Sequence, residues 1–482
     1  MIVPQAALAR DVYDVRGFSS IVQNRPRCIK RSRDLAVSSS EVPYSFSLPK
    51  PHTTIDTTSH GAVGYTSTSF ATSLCSNALL DTKAPLSKLR SSIEQLVPNY
   101  ISEFKDKGMA GWEVVWGPTV WKHKLEWWES DKKTGPDNTW FIGHHPAAQF
   151  HDGTFDTYVV SIAGTASTYA WLKEDFVVRP VVDFNEFAAN IKQVPVAATD
   201  IDDNTKTYIA LGDAQAVYTL LNTTAPSSAR SPGTTIVDFL QNLPSTLETA
   251  PRIVFTGHSL GGALTPMTAL ILQLQQAKPL KKVFTFPTAG PTPGNKNFAN
   301  LFGKFNPLQF LGPAPYQAWN SNLRNVYDAI PQAWSTDQTD YPDQNIKHIL
   351  KLYGDIPRAV YAVVWVPIQF ALGLVDASKI TYIPIPGMTF GAPQPPVPQK
   401  FSQFLGTVRD QHVAAYEDFL GVIPPSVSAV IKRSCLLWPT VGKKTLEEWA
   451  EGLPVFEQRG LQRSLDNEVA KDTQVQALVS TR

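Results

Sequence analysis

An α/β fold, with a mixed but mostly parallel sheet flanked by helices, is what this chain predicts, and three observations carry it. Arg252-Ile253-Val254-Phe255-Thr256 is a short apolar run with the character of a buried strand. Gly257-His258-Ser259-Leu260-Gly261 follows as a glycine-framed turn, and a helix is expected from about residue 262 to residue 276. Two further buried-strand runs, residues 156–163 before the turn and residues 282–286 after it, give that first strand neighbours. Strands separated by helical stretches in this way imply parallel pairing.

Composition narrows the classes of function. The chain has 482 residues, long enough for two or three average domains, although single α/β domains with insertions reach this size. Its net charge is only +1, so no global field draws nucleic acid or an anionic membrane to it, and a nucleic-acid binder is excluded as a reading. Cys28, Cys75 and Cys435 are widely spaced and form no C-x-x-C pair, which argues against a disulfide framework or a zinc site. With no apolar segment in the first 50 residues to act as a secretory signal, the expectation is a reducing, cytoplasmic setting. A secreted chain that had lost its leader would read the same way.

In chain order, residues 1–43 mix Arg, Ser and Pro without periodicity and read as a flexible leader. Residues 44–80, rich in Ser, Thr and Pro, read as loop with short extended pieces. From residue 84 to residue 104, Leu86, Leu89, Ile93, Leu96, Val97 and Ile101 recur at helical spacing, with Pro98 expected to break or kink the last turns. Trp112, Trp116, Trp121, Trp127 and Trp128 fall close together near two alternating runs that read as antiparallel strands. Rings buried over those strands are the favoured reading, with an aromatic surface for lipid or carbohydrate as the rival.

Asp200, Asp202 and Asp203 lack the spacing and glycine of a calcium loop and read as a solvated turn. Residues 208–221 have helical character, and residues 235–243 form the helix feeding the elbow strand. Asn295 is placed to cap a helix beginning near Lys296. Residues 325–331 read as a short strand ending in Asp328 and a proline. The nearly unbroken apolar stretch 359–375 falls just short of a membrane span and is interrupted by Pro367 and Gly373. It reads as a buried helix, with lipid contact near a substrate entrance as the alternative. Residues 383–398, rich in proline, read as a surface loop, and residues 441–482 as a C-terminal helix with a polar tail.

The turn at Ser259 fits G-x-S-x-G, which lifts a nucleophilic serine above the C-terminal edge of a parallel sheet. A serine is a weak nucleophile unless a base takes its proton and an acid orients that base. Of the histidines downstream, His348 follows the acid by only twenty residues, whereas His412 lies far enough along for a return loop to the same rim. Asp328 is preferred over Asp337, Asp340 and Asp343 because it ends an apolar run, while those three sit in a polar one. In the expected reaction Ser259 attacks an ester carbonyl, His412 shuttles the proton and Asp328 holds its tautomer. The N–H groups of Leu260 and Thr165 receive the oxyanion, and no metal or organic cofactor enters.

Four blocks together resemble the class 3 lipases of the fungal triacylglycerol-lipase type: Gly164-Thr165 after Tyr158-Val159-Val160, residues 256–263, residues 289–299 and residues 326–331. The resemblance runs from roughly residue 158 to residue 419. It implies an α/β-hydrolase fold, a Ser259-Asp328-His412 triad, oxyanion donors at Thr165 and Leu260, and a lid over about residues 166–182. Two departures are visible. Ile162-Ala163 stands where the family commonly has Phe-Arg, and an apolar, proline-rich insertion, residues 341–400, separates acid from base.

The resulting expectation is a serine hydrolase of carboxylic esters, a lipase on acylglycerols, occupying residues 44–440 with its core at 156–420. It would meet an acyl ester or lipid at a lipid–water interface, without nucleic acid and without a transmembrane span. The rivals are a soluble carboxylesterase for short or aromatic esters and a non-catalytic lipid-surface or partner-binding protein on the same fold.

Overall fold

The computed structural model describes residues 64–80, 82–123, 130–150, 152–164, 177–244, 250–275, 280–312, 314 and 316–422. The expected leader (1–43), the C-terminal helix and tail (441–482), Trp127, Trp128, Thr165 and residues 166–176 of the expected lid lie outside them.

Two helices come first, α1 (Tyr65–Ser76) and α2 (Leu86–Glu103). Strands β1 (Glu113–Trp121), β2 (Asn138–Phe150) and β3 (Gly153–Ile162) then form an antiparallel meander. A small two-stranded sheet of β4 (Val181–Asp183) and β5 (Tyr208–Ala210) brackets α3 (Phe184–Ala189) and precedes α4 (Leu211–Asn222) and α5 (Ile236–Gln241). The expected alternation follows in β6 (Arg252–His258), α6 (Leu260–Leu274), β7 (Val283–Thr288) and α7 (Lys296–Phe305). Beyond them lie the short pair β8 (Gln309–Phe310) and β9 (Ala318–Trp319), then β10 (Asn322–Asn325), α8 (Arg358–Ser378) and β11 (Gly387–Phe390). Last come α9 (Phe401–Arg409), a π-helical turn at Asp410–Ala414, and α10 (Ala415–Leu420).

The main sheet runs β1-β2-β3-β6-β7-β10-β11, and every pairing from β3 onward is parallel. This is the mostly parallel α/β sheet expected from the sequence. Its two faces are packed separately, as the two-residue alternation of a strand requires. Phe255 and Ile142 face one apolar layer with Leu264 and Leu270 of α6, whereas Val254 and Phe141 face the other with Phe70 and Leu74 of α1. Trp112 and Trp116 are buried and Trp121 is half-buried against the core, so the described tryptophans of the early cluster serve as core, as the favoured reading has it.

Several expectations are corrected. Residues 44–80 are not all loop: α1 is a helix with ten of its twelve residues buried. Its serines and threonines hide the apolar period because their hydroxyls bond back to the helix, Thr72 to the Thr68 carbonyl and Ser73 to that of Phe70. Neither Pro98 nor Pro367 ends its helix: α2 runs on to Glu103, and α8 extends through both Pro367 and Gly373 to Ser378. Residues 208–210 are strand rather than helix. The strand before the acid is β10, at residues 322–325, so Asp328 sits in the turn after it. Residues 383–398 are not entirely loop, because β11 forms the far edge of the main sheet, where flanking prolines interrupt no inner ladder.

Candidate active site

Parallel strands bring their C-terminal ends to one rim. Ile162 of β3 stands beside Gly257 of β6, His258 beside Thr288 of β7, and Thr288 beside Leu323 of β10. The chain beyond each end therefore gathers residues 163–164, Ser259 and Asp328 at one edge, where sites of open α/β sheets form.

Ser259 occupies the tightest point. Its φ of 60° and ψ of −127° put a non-glycine residue in a region that costs about 1–3 kcal/mol, held by the strand behind and the helix ahead. The Ser259 N–H donates to the Thr288 carbonyl at 3.0 Å, and its carbonyl accepts from Gly262 at 2.8 Å. Glycine is required on both sides. A Cβ on Gly257 would run into the carbonyl of Gly261, and one on Gly261 into that of Ile162. Leu260 is the first residue of α6, so its N–H has no intrahelical acceptor.

On the facing side, the turn at Gly164 hangs from α1. Asn77, the residue after that helix, accepts the Gly164 N–H on Oδ1 at 2.9 Å and donates from Nδ2 to the Ser73 carbonyl. Ser161 donates to the Thr72 carbonyl, and Thr256 reaches the Ser69 carbonyl, so α1 is tied to both β3 and β6. Sequence reasoning missed Asn77 altogether, since nothing local distinguishes an Asn that ends a hidden helix.

Asp328 and His412 are brought together. Asp328 is fully buried, and the His412 Nδ1 lies 2.9 Å from its Oδ2 and 3.1 Å from its Oδ1. Facing a carboxylate, that nitrogen carries the proton, which leaves the Nε2 lone pair outward. The carboxylate also accepts the Ile330 N–H at 2.9 Å and the Tyr416 hydroxyl at 2.8 Å. Tyr416 in turn accepts the Asn325 N–H at 2.9 Å, and burial holds its phenol protonated, well above the ordinary range. This tyrosine was also missed. Its signal was its position four residues after His412 in one helical stretch.

His412 lies in the π-helical turn, a widened winding that recurs at functional sites. His258 fastens this turn to the elbow. Its Nε2 donates to the His412 carbonyl at 2.8 Å, and its Nδ1 faces the Thr288 hydroxyl at 2.9 Å. Burial first, and the neighbouring His412 second, hold His258 well below the usual imidazole range, so it is neutral with its proton on Nε2. Among the described residues no hydrogen bond joins the Ser259 hydroxyl to His412; what links them is this bridge, with the two rings 4.7 Å apart. His348 stands elsewhere, in a 3-10 turn at Ile346–Lys351, where burial lowers its pKa and Arg324 and Lys351 add to the effect against Asp343. Thr165 lies outside the described residues.

The acidic turn has a structural task. Asp202 accepts the Thr205 hydroxyl, while Asp203 accepts from Asn295 and from the Thr381 N–H. Asn295 caps α7 through Phe298, as its place in the sequence predicts.

The mostly parallel sheet and its flanking helices are of the α/β-hydrolase type of fold. Residues 159–312 match the family model of lipase (class 3), so the resemblance carried by the sequence blocks holds over that span. Among solved structures, the crystal structure of M37 lipase is similar at 21% identity with a TM-score of 0.53, covering 76% of this chain and 97% of that one. That likeness carries the fold. More distant are a nonglycosylated Yarrowia lipolytica LIP2 lipase (16% identity, TM-score 0.34, 56% of this chain and 73% of that one) and a lipase from Rhizopus microsporus var. chinensis (14%, 0.32, 56% and 68%). No curated protein matches the sequence.

Proposed function

We propose that the protein is a serine hydrolase of carboxylic esters, a lipase acting on acylglycerols through Ser259, His412 and Asp328. The observation that carries this reading is the buried Asp328–His412 pair at 2.9 Å, tied through His258 to the strained turn that presents Ser259. Ser259 attacks the ester carbonyl as His412 Nε2 takes its proton. The imidazolium is stabilised by Asp328, and it then protonates the departing alkoxide to leave an acyl-enzyme that water hydrolyses. The N–H groups of Leu260 and Thr165 receive the oxyanion, each worth about 3 kcal/mol of transition-state stabilisation.

The test is hydrolysis of p-nitrophenyl esters from acetyl to palmitoyl by wild type, Ser259→Ala, His412→Ala and His348→Ala. The first two substitutions should lower kcat by about 10⁶-fold, and the third should leave it within a few-fold. A wild type as slow as Ser259→Ala on every ester would refute the catalytic reading, and activity confined to dissolved short chains would make the protein a carboxylesterase. A His348→Ala loss as large as that of His412→Ala would reassign the base.

A further inference from the structure

Among the described residues α8 is the most apolar of the helices of 18 residues or more, yet only one side of it is buried, so the expected buried helix is only partly so. Among the described residues it alone is long and apolar enough to cross a membrane, and only 28% of its most apolar stretch is buried. From Ala359 to Val375 it has no charged side chain, and apart from Tyr361 and Trp365 its sole polar one is Gln369. That uncharged length is about 25 Å at the helical rise. One row, Val360, Val364, Ile368, Ala371 and Val375, is buried in an apolar cluster with Phe404 and Val408 of α9. Outside that row the helix faces outward, with Tyr361 43% and Val363 42% exposed on its two flanks and Ala359 and Gly373 exposed between them.

We propose that this outward side docks on the surface of a lipid aggregate, with the helix lying in the plane of the interface. The proposal deepens the lipase reading and rests on it for the identity of the surface. Three features select a lipid surface over a folded partner. A protein interface fixes its register with several hydrogen bonds and a polar rim, whereas the middle of this face offers little beyond Gln369. The exposed charges sit at the ends, Arg358 at one and Asp376 with Lys379 at the other, where a helix lying in an interface keeps them in water. Tyr361 and Trp365 stack with centroids 6.1 Å apart, two rings of the kind that settle at headgroup depth. The helix does not span, because its inner row is committed to the protein core.

Its place in the fold gives the docking a use. The cluster that holds the inner row also contains Ala329, next to Asp328, and the α9 residues that lead into the His412 turn. A lipid surface held by α8 would therefore lie one packing layer from the segments that carry acid and base.

The experiment is co-sedimentation with sucrose-loaded phosphatidylcholine vesicles, using the full chain, Tyr361→Glu/Val363→Glu and the milder Val363→Gln, with thermal melting as a fold check. Wild type should bind. The double variant should bind at least about tenfold more weakly, since charge at these positions opposes insertion, and Val363→Gln should weaken binding about threefold. Hydrolysis of dissolved p-nitrophenyl acetate should stay within twofold of wild type in both variants, while hydrolysis of emulsified triolein falls with vesicle binding. The assignment is overturned if wild type stays in the supernatant, if the double variant and Val363→Gln sediment like wild type, or if the face proves to hold a dimer that the substitutions split without any vesicle binding. A wild type that sediments in a variant-sensitive way but hydrolyses no ester upholds the docking surface and refutes the catalytic reading instead.

Discussion

Replacing His258 with glutamine should remove a measurable part of the protein's sensitivity to acid. In the unfolded chain an imidazole titrates near 6.5. In the folded protein, burial and the adjacent His412 hold His258 well below that, while its bond to the His412 carbonyl opposes the shift only in part. Between those two values only the unfolded chain takes up the proton. The contribution of His258 is therefore fully present above pH 6.5 and is lost progressively as the pH falls toward the folded value. From pH 7.5 to pH 5.5, with the folded group still neutral, the loss is RT ln(11/1.1), on the order of 1 kcal/mol. Glutamine keeps an N–H for the His412 carbonyl and has nothing to titrate. Urea unfolding at the two pH values should show wild type losing on the order of 1 kcal/mol more than His258→Gln. His348, lowered mainly by burial, is present in both proteins and cancels. Equal pH dependence in the two proteins would refute the buried, neutral assignment.

Two further substitutions probe the supports of the rim. Tyr416→Phe deprives the Asp328 carboxylate of one donor and leaves the Asn325 N–H without its acceptor. Urea unfolding should register a loss of about 3 kcal/mol, and kcat should fall about tenfold with KM little changed; a variant as active and stable as wild type would show that His412 and Ile330 suffice to hold the acid. Asn77→Ala removes the acceptor of the buried Gly164 N–H. It should cost about 1–3 kcal/mol of stability and lower kcat at least about tenfold through the oxyanion donor proposed at Thr165, whereas an unchanged kcat would argue against that role.

What could be read in the sequence was what is decided locally. The elbow is forced by Gly257 and Gly261, whose neighbours leave no room for a side chain, so its strand, turn and helix declare themselves within a dozen residues. Asp328 and His412 could be chosen by their order and spacing, though the strand before the acid was placed three residues too late. The rest depends on partners distant in the chain. The helix α1 is invisible as a period because its buried face is built of hydroxyls that bond to their own backbone. β11 is a strand only because β10 offers it an edge. Asn77 and Tyr416 are ordinary residues until folding sets one against Gly164 and the other against Asp328.

The widened turn at Asp410–Ala414 sets a limit on how this protein can change in length. His412 and Tyr416 reach the same carboxylate because a spacing of four residues in a helical stretch brings them to one side. Deleting a single residue between His412 and Tyr416 would turn the two side chains by about 100° relative to each other. Imidazole and phenol would then point to different quarters of the molecule. The long segment between acid and base could gain or lose residues at its surface with little consequence, but within these five positions the register is fixed to the single residue.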